Sequence, residues 1–152
     1  MSTVAVTRLI EAPVAAVWNV FTDLGRRHEW LTAVTGVEVL SPGPFGAGTL
    51  WRETRRMADG GEITEEFQVD ECAVQERFVV TSPGIGADYR MTYTFMPVVA
   101  GRHKGGTMIT AVQDGGPTAA SGRFLALLFG GLAAETAEGA LRRDLDDLAA
   151  AA

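Results

Sequence analysis

The residues of this chain best suited to acid–base chemistry lie on either side of Asp59-Gly60. That dipeptide between two β-prone segments is a strong hairpin signal. We place Met57 opposite Glu62, and residues that oppose one another in a hairpin share a face of the sheet. The alignment predicts one face that carries both apolar and polar side chains, those of Leu50, Arg52, Thr54, Ile63, Glu65, Phe67 and Val69.

Arg52 and Glu65 are the candidate catalytic residues on this face. The apolar residues make it the inward face, so both charges are expected in the interior, with Thr54 and Phe67 beside them as ligand contacts. Burying such charges costs on the order of several kcal/mol per ion unless they satisfy one another or a ligand satisfies them. Buried, perturbed charges are candidates for binding or catalysis. A purely structural ion pair remains an alternative, and a register slip of one residue would turn Arg52, Thr54 and Glu65 to solvent.

A second inward face is predicted in the segment Asp88–Met96, where residue character alternates along the chain. Buried tyrosines need hydrogen-bond partners for their hydroxyls, so this face offers a ligand both apolar area and polar groups. Tyr93 is a candidate proton donor. Core tyrosines bonded to the backbone are the alternative. The predicted ligand contacts on this face are Tyr89, Met91, Tyr93 and Phe95.

Three further residues are expected near a ligand. Trp30 follows a short helical stretch and either lines the ligand site or packs in the core. Phe124 and Leu128 lie on the first half of a C-terminal helix and either line the site or only pack against the sheet. The two histidines, His28 and His103, are far apart and match no two-ligand spacing, so no metal is expected.

The elements that position these residues follow from hydrophobic periodicity. Pro13 suits the first turn of a helix, with Trp18 in its buried stripe, and a second short helix lies around residues 26–31. Residues 121–152 predict a long helix whose leucines form a stripe, with charged residues such as Asp144 on other faces. Seven strands are predicted: Thr3–Ile10, Val34–Leu40, Thr49–Met57, Glu62–Val69, Arg77–Ser82, Asp88–Val99 and Thr107–Gln113.

This order of elements predicts a single α+β domain over residues 1–152. Short connections make neighbouring strands antiparallel. A sheet of this size must cover its apolar face, and the C-terminal helix is the only element long enough to do so. A sheet closing on one helix rarely fills completely, so an internal cavity is expected between them.

Eight short segments of the chain form a recognisable series: Ile10-Glu11-Ala12-Pro13, Val17-Trp18, Asp23-Leu24, Glu29-Trp30-Leu31, Val37-Glu38-Val39-Leu40, Gly48-Thr49-Leu50-Trp51-Arg52-Glu53, Gly106-Thr107 and Leu145–Leu148. In this order they resemble the polyketide cyclase/dehydrase and lipid-transport family of the START-like, or SRPBCC, superfamily. The resemblance implies a helix-grip fold (β-α-α-β6-α), in which a curved seven-stranded antiparallel sheet wraps around a long C-terminal helix. Arg27 and His28 stand where an aromatic residue and a proline often precede the second tryptophan.

We expect the cavity to bind a small hydrophobic, partly oxygenated or polyketide-like ligand without a cofactor. The resemblance leaves three functions open. One is an aldol-type cyclisation or dehydration, with Glu65 as base or acid, Arg52 stabilising an enolate and Tyr93 supplying a proton. The second is a lipid or metabolite carrier, and the third, less favoured, is an interaction module resembling a chaperone activator.

Composition and net charge limit the kinds of partner that the protein is expected to bind. The net charge of −6, from 19 acidic and 13 basic residues, argues against nucleic acid and against an anionic membrane surface. The single cysteine, Cys72, excludes an intrachain disulfide. The N-terminus does not resemble a signal peptide, and no apolar run approaches the roughly 20 residues of a membrane span. We expect a cytoplasmic protein, and a homodimer stays open.

Overall fold

Seven strands form one antiparallel sheet in the computed structural model, which describes residues 2–57, 60–82, 89–115 and 133–152. The strands are β1 (Ser2–Ile10), β2 (Val34–Val39), β3 (Leu50–Arg56), β4 (Glu62–Ala73), β5 (Arg77–Ser82), β6 (Tyr89–Pro97) and β7 (Thr107–Gly115). Their order across the sheet is β1-β7-β6-β5-β4-β3-β2. Each predicted strand is confirmed, with ends displaced by a few residues.

Three helices accompany the sheet within the described residues. Helix α1 (Val14–Thr22) begins directly after Pro13, whose carbonyl accepts the first helical hydrogen bonds. A 3₁₀ turn at Leu24–Arg26 leads into the short α2 (Arg27–Trp30), and α3 (Ala133–Ala151) is the C-terminal helix. The predicted start of that last helix, with Phe124 and Leu128, lies outside the described residues.

One apolar cluster joins the helices to a single face of the sheet, which we call the inner face. Trp18 and its neighbours on α1 belong to this cluster, as predicted, and so do Leu141, Leu145 and Leu148 of α3. The sheet contributes every second residue of its strands to this cluster, because alternate side chains along a strand point to the same face. The buried sheet residues of the cluster are Val6, Ile10, Trp51, Phe67, Val69, Phe78, Val80, Tyr93, Phe95, Ile109 and Ala111. The fold is therefore the expected sheet with a C-terminal helix across its inner face.

The predicted register of the β3–β4 hairpin is wrong by one residue. Trp51 lies opposite Phe67, and Arg52 lies opposite Glu66 instead of Phe67. The turn is one residue shorter than expected, because Met57 pairs with Gly61 instead of Glu62. The Met57 N–H donates to the Gly61 carbonyl at 2.7 Å. A one-residue shift exchanges the two faces of a strand. The inner face of β3 therefore carries Trp51, Glu53 and Arg55, and its outer face carries Leu50, Arg52, Thr54 and Arg56.

Candidate functional site

Four charged side chains meet on the inner face, and we call them the charged cluster: Arg27, Glu53, Arg55 and Asp144. Arg27 Nε donates to Glu53 Oε1 at 2.8 Å, and Arg55 Nε donates to Glu53 Oε2 at 2.7 Å. Arg55 Nη1 lies 2.9 Å from Asp144 Oδ2. The side chain of Glu53 is only 2% exposed and that of Arg27 only 8%. The cluster therefore ties α2, β3 and α3 together, with Glu53 and Arg27 buried and the Arg55 side chain 25% exposed.

Aromatic rings surround the guanidinium of Arg27. Its Cζ lies 5.5 Å from the ring centroid of Phe21, 6.0 Å from that of Trp30 and 5.8 Å from that of Trp51. Ring faces attract a cation, and the attraction is stronger where water is excluded. Trp51 also donates its Nε1–H to Glu53 Oε1 at 3.4 Å. The residue that replaces the usual aromatic before the second tryptophan is thus a buried cation, paired with Glu53 and flanked by three rings.

Asp144 reaches the cluster because of its place on α3. It lies three positions after Leu141 and four before Leu148, both buried, and residues at those spacings share a helix face. The expectation that Asp144 points away from the leucine stripe is therefore wrong. Its side chain is 17% exposed, and its Oδ2 faces Arg55.

The charges in the cluster shift one another's ionisation. Burial opposes the charge of Glu53, but the two arginines more than offset it and lower its pKa to about 2. Burial also opposes the charge of Arg55, yet Asp144 and Glu53 raise its pKa. For Asp144 burial prevails over the attraction of Arg55 and Arg27, so its pKa is raised. Glu53 is thus a fixed anion, whereas Asp144 holds a proton more readily than an exposed aspartate does.

Two buried polar atoms, one in the cluster and one beside it, have no hydrogen-bond partner among the described residues. They are Trp30 Nε1, a donor, and Asp144 Oδ1, an acceptor while the carboxylate is ionised. A buried polar group without a partner destabilises a fold by about 1–3 kcal/mol. Such groups are rare in proteins, and a functional site is one of the places where they occur.

Glu65 is on the inner face, as predicted, opposite Glu53. Burial raises the pKa of its carboxyl, with Arg55 opposing the shift and Glu53 reinforcing it. No hydrogen bond or ion pair joins Glu65 to another described residue. A carboxyl of this kind is free to exchange a proton with a ligand, and that role stays a prediction.

The predicted aromatic contacts lie beside this group. Tyr93 is 7% exposed, and burial raises the pKa of its hydroxyl to about 12. Its Oη donates to Met91 Sδ at 3.5 Å, and a thioether is a weak acceptor. Phe95 and Phe67 are buried on the same face. Tyr89 begins β6, but its side chain lies outside the description. Ligand contact by these residues stays a prediction.

Arg52 and Thr54 lie on the outer face, away from the charged cluster. Arg52 Nη2 donates to Glu66 Oε1 at 2.7 Å, its Nη1 donates to Glu38 Oε2 at 3.4 Å, and its side chain is 43% exposed. The Thr54 and Thr64 hydroxyls form a hydrogen bond of 2.9 Å. The expected inward orientation of Arg52 and Thr54 is therefore wrong, because the register shift turns their side chains outward.

Sequence reasoning missed Arg27, Glu53, Arg55 and Asp144. One signal was present: Trp51 would face outward in the predicted register, and grouping it with Phe67 restores the observed one. Within the described part of the chain, no group of three or more His, Cys, Asp or Glu side chains could hold a metal ion. The helices described there include none long and apolar enough to span a membrane.

Solved structures with the same fold place the chain among known proteins. TTHA0849 from Thermus thermophilus is 25% identical with a TM-score of 0.72, and the match covers 99% of each chain. A START superfamily protein from Mycobacterium smegmatis is 13% identical with a TM-score of 0.76, over 97% of this chain and 94% of that one. The di-domain ARO/CYC StfQ from the steffimycin biosynthetic pathway is 13% identical with a TM-score of 0.76, over 97% of this chain and 50% of StfQ.

No curated protein matches the chain. A family model does match it, over residues 1–152, and that model describes polyketide cyclases, dehydrases and lipid-transport proteins. The match extends through every strand and helix of the described fold. The chain therefore belongs to the polyketide cyclase/dehydrase and lipid transport family.

Proposed function

We propose that the protein binds a largely apolar, partly oxygenated small molecule on its inner face, with the oxygenated end at the charged cluster. The observation that carries this proposal is the pair of unpartnered buried atoms, Trp30 Nε1 and Asp144 Oδ1. A ligand carbonyl would accept from the indole N–H, and a ligand hydroxyl would donate to the carboxylate. Membership of a family of cyclases and lipid-transport proteins supports the same class of ligand.

The rings beside these atoms suit the apolar part of such a ligand. Phe21 contacts Tyr93 with ring centroids 4.7 Å apart and Trp30 at 6.0 Å, and both contacts are edge-to-face. Trp51 stacks on Phe67 at 5.4 Å. Aromatic walls with a few convergent polar groups are typical of small-molecule sites.

Removing the indole N–H tests the binding mode. We expect Trp30→Phe to weaken binding of 3-acetyl-1-naphthol, a neutral hydroxyketone, by about tenfold, the value of one hydrogen bond. Isothermal titration calorimetry measures the affinity. Trp18→Phe makes the same chemical change in a core ring that contacts Phe45 and Phe78, and it should leave the affinity unchanged. Equal affinity of the Trp30→Phe protein and the wild type would contradict this placement of the ligand.

The carboxyl of Glu65, unpaired among the described residues, supports a second candidate function, a cofactor-free aldol-type cyclisation with dehydration. The carboxylate removes a proton from a carbon next to a carbonyl, and the resulting enolate attacks a second ketone carbon. A carbon–carbon bond forms, and the alkoxide takes back the proton from Glu65. The new hydroxyl then leaves as water together with a second proton from the carbon between it and the carbonyl, and a carbon–carbon double bond forms there. The charge of Arg55, near Glu65 on the same face, would stabilise the enolate oxygen in place of the outward-facing Arg52. Tyr93, with its raised pKa, would remain a neutral hydrogen-bond donor.

A synthetic linear triketone distinguishes catalysis from carriage. A cyclase/dehydrase converts it to a product lighter by one water, which mass spectrometry of the extracted ligand detects. Glu65→Gln should abolish that conversion and still bind the triketone, because the amide keeps the shape of the side chain and loses its acid–base function. A carrier returns the triketone unchanged, and that outcome would refute the catalytic candidate while leaving the binding proposal intact.

A further inference from the structure

The charged cluster is electrically balanced. It holds two guanidinium groups and two carboxylates, and each guanidinium already faces a carboxylate at 2.7–2.9 Å. Glu65, the next ionisable group on this face, can add a negative charge or none. The cluster therefore offers no net positive charge to an arriving ligand.

Outside the charged cluster, the inner face carries no unpaired cation among the described strands and helices. Arg8 of β1 shares the inner face with Val6 and Ile10, but its Nε already donates to Asp146 Oδ1 at 2.9 Å. A carboxylate or phosphate on the ligand would lose its water without gaining a cation of its own. Desolvating an unpaired charge in an apolar interior is strongly unfavourable.

The unpartnered atoms fit an uncharged ligand instead. Trp30 Nε1 can only donate and an ionised Asp144 can only accept, so together they match one carbonyl and one hydroxyl. Helix α2, which ends at Trp30, packs against α3, which carries Asp144. The ionised Oδ1 of Asp144 repels a second carboxylate at the same position.

We propose that this site selects uncharged hydroxyl- and carbonyl-bearing ligands over matched carboxylates and phosphates, and that Asp144 sets this preference. The selectivity rests on the proposed function and narrows it, because it excludes fatty-acid anions and anionic lipids as the preferred cargo. Enolate chemistry is compatible with it, since proton transfer from ligand to Glu65 adds no charge to the site, whereas a carboxylate ligand does.

Two probes with one ring system test the selectivity. 3-Acetyl-1-naphthol is the neutral hydroxyketone, and 4-hydroxy-2-naphthoate replaces its acetyl group by a carboxylate; in both, the hydroxyl is too far from the other oxygen to form an internal hydrogen bond. We expect calorimetry on the full chain at pH 7 to show the neutral probe binding at least tenfold more tightly, about one power of ten in Kd. Equal or tighter binding of the carboxylate contradicts the selectivity alone. Failure of both probes to bind contradicts the proposed function, and the selectivity with it.

The Asp144→Asn variant tests whether Asp144 is the origin of the preference for the neutral probe. It removes one negative charge and releases one partner of Arg55, so we expect the preference for the neutral probe to fall about tenfold or to reverse. Asp70→Asn is the matched control, because it removes the same charge from an ion pair with Arg90 on the outer face. An unchanged preference in Asp144→Asn, or the same change in Asp70→Asn, contradicts the role of Asp144. If Asp144→Asn does not fold, Asp144→Ser, which removes the same charge with a smaller side chain, takes its place, and an unchanged preference in that variant contradicts the role of Asp144 equally.

Discussion

Arg52 and Arg55 are three positions apart on β3 and lie in different environments. Arg52 forms exposed ion pairs on the outer face, while Arg55 contacts Glu53 and Asp144 in the interior. Exposed ion pairs contribute about 0–1 kcal/mol to stability, because solvent screens the charges. Breaking a buried pair costs about 3–5 kcal/mol, because the remaining charge stays desolvated.

This contrast predicts unequal effects on folding. Glu53→Gln should lower the free energy of unfolding by about 3–5 kcal/mol, since it leaves Arg27 and Arg55 without their shared anion. Arg52→Ala should lower it by less than about 1 kcal/mol. Chemical denaturation monitored by circular dichroism measures both. Similar losses in the two variants would show that the charged cluster is not buried as described.

Glu65 gives a prediction on pH. Its folded-state pKa is raised, so the folded protein holds the proton more tightly than the unfolded chain does, and stability falls as the pH rises through the range of that pKa. Glu65→Gln should therefore be more stable than the wild type at pH 7. The advantage should shrink as the pH falls toward the usual carboxyl range, where both proteins are neutral at this position. Thermal unfolding across this pH range measures the difference, and a stability gap that does not change with pH would contradict the expectation.

The surroundings of single side chains were only partly predictable from the sequence. Glu65 and Tyr93 were placed on the inner face correctly, because each lies in a strand with clear alternation. Asp144 was missed because an acidic residue beside a leucine stripe is usually solvated, and its burial depends on the opposing Arg55. Arg27 was missed because its burial depends on aromatic rings contributed by three separate segments of the chain.

At the scale of elements, the strands were predictable from local pattern and the hairpin register was not. Alternating residues, with glycines in most of the connections, mark the strands within the chain itself. The register depends on how many residues the turn uses, and Gly60, with φ of 89°, closes it at Met57 and Gly61. One residue in that turn decides whether Arg52 or Arg55 faces the interior.

Helix α3 supplies the prediction at this scale. Leu145 is 1% exposed and belongs to the cluster that joins α3 to the sheet. Leu145→Ala should lower the free energy of unfolding by about 2–5 kcal/mol, through lost apolar burial and the cavity left behind. Arg142→Ala, on the exposed face of the same helix, should change it by less than about 0.5 kcal/mol. Urea titrations compare the two, and comparable losses would mean that α3 does not pack on the sheet through its leucines.

The whole molecule is built on one apolar cluster that includes residues from α1, α3 and six of the seven strands. Segments that share one core unfold together, because none can keep its packing when the others leave. Within the described residues, no second cluster of comparable extent accompanies it.

A single cooperative transition is therefore expected. Far-ultraviolet circular dichroism reports the strands and helices, while tryptophan fluorescence reports Trp18, Trp30 and Trp51 within or against the core. The two signals should give the same denaturation midpoint. Separate midpoints would indicate that part of the fold is an independent unit.

Pairing of β1 with β7 has a consequence for how the chain is made. Val6 lies opposite Ala111, so the first strand synthesised finds its partner only after nearly the whole sheet has left the ribosome. The meander from β2 to β7 can assemble from neighbours as it emerges, but β1 must wait with its apolar side chains uncovered. Contacts so distant in sequence slow folding, so closure by β1 is expected to be late and to be the step most exposed to aggregation.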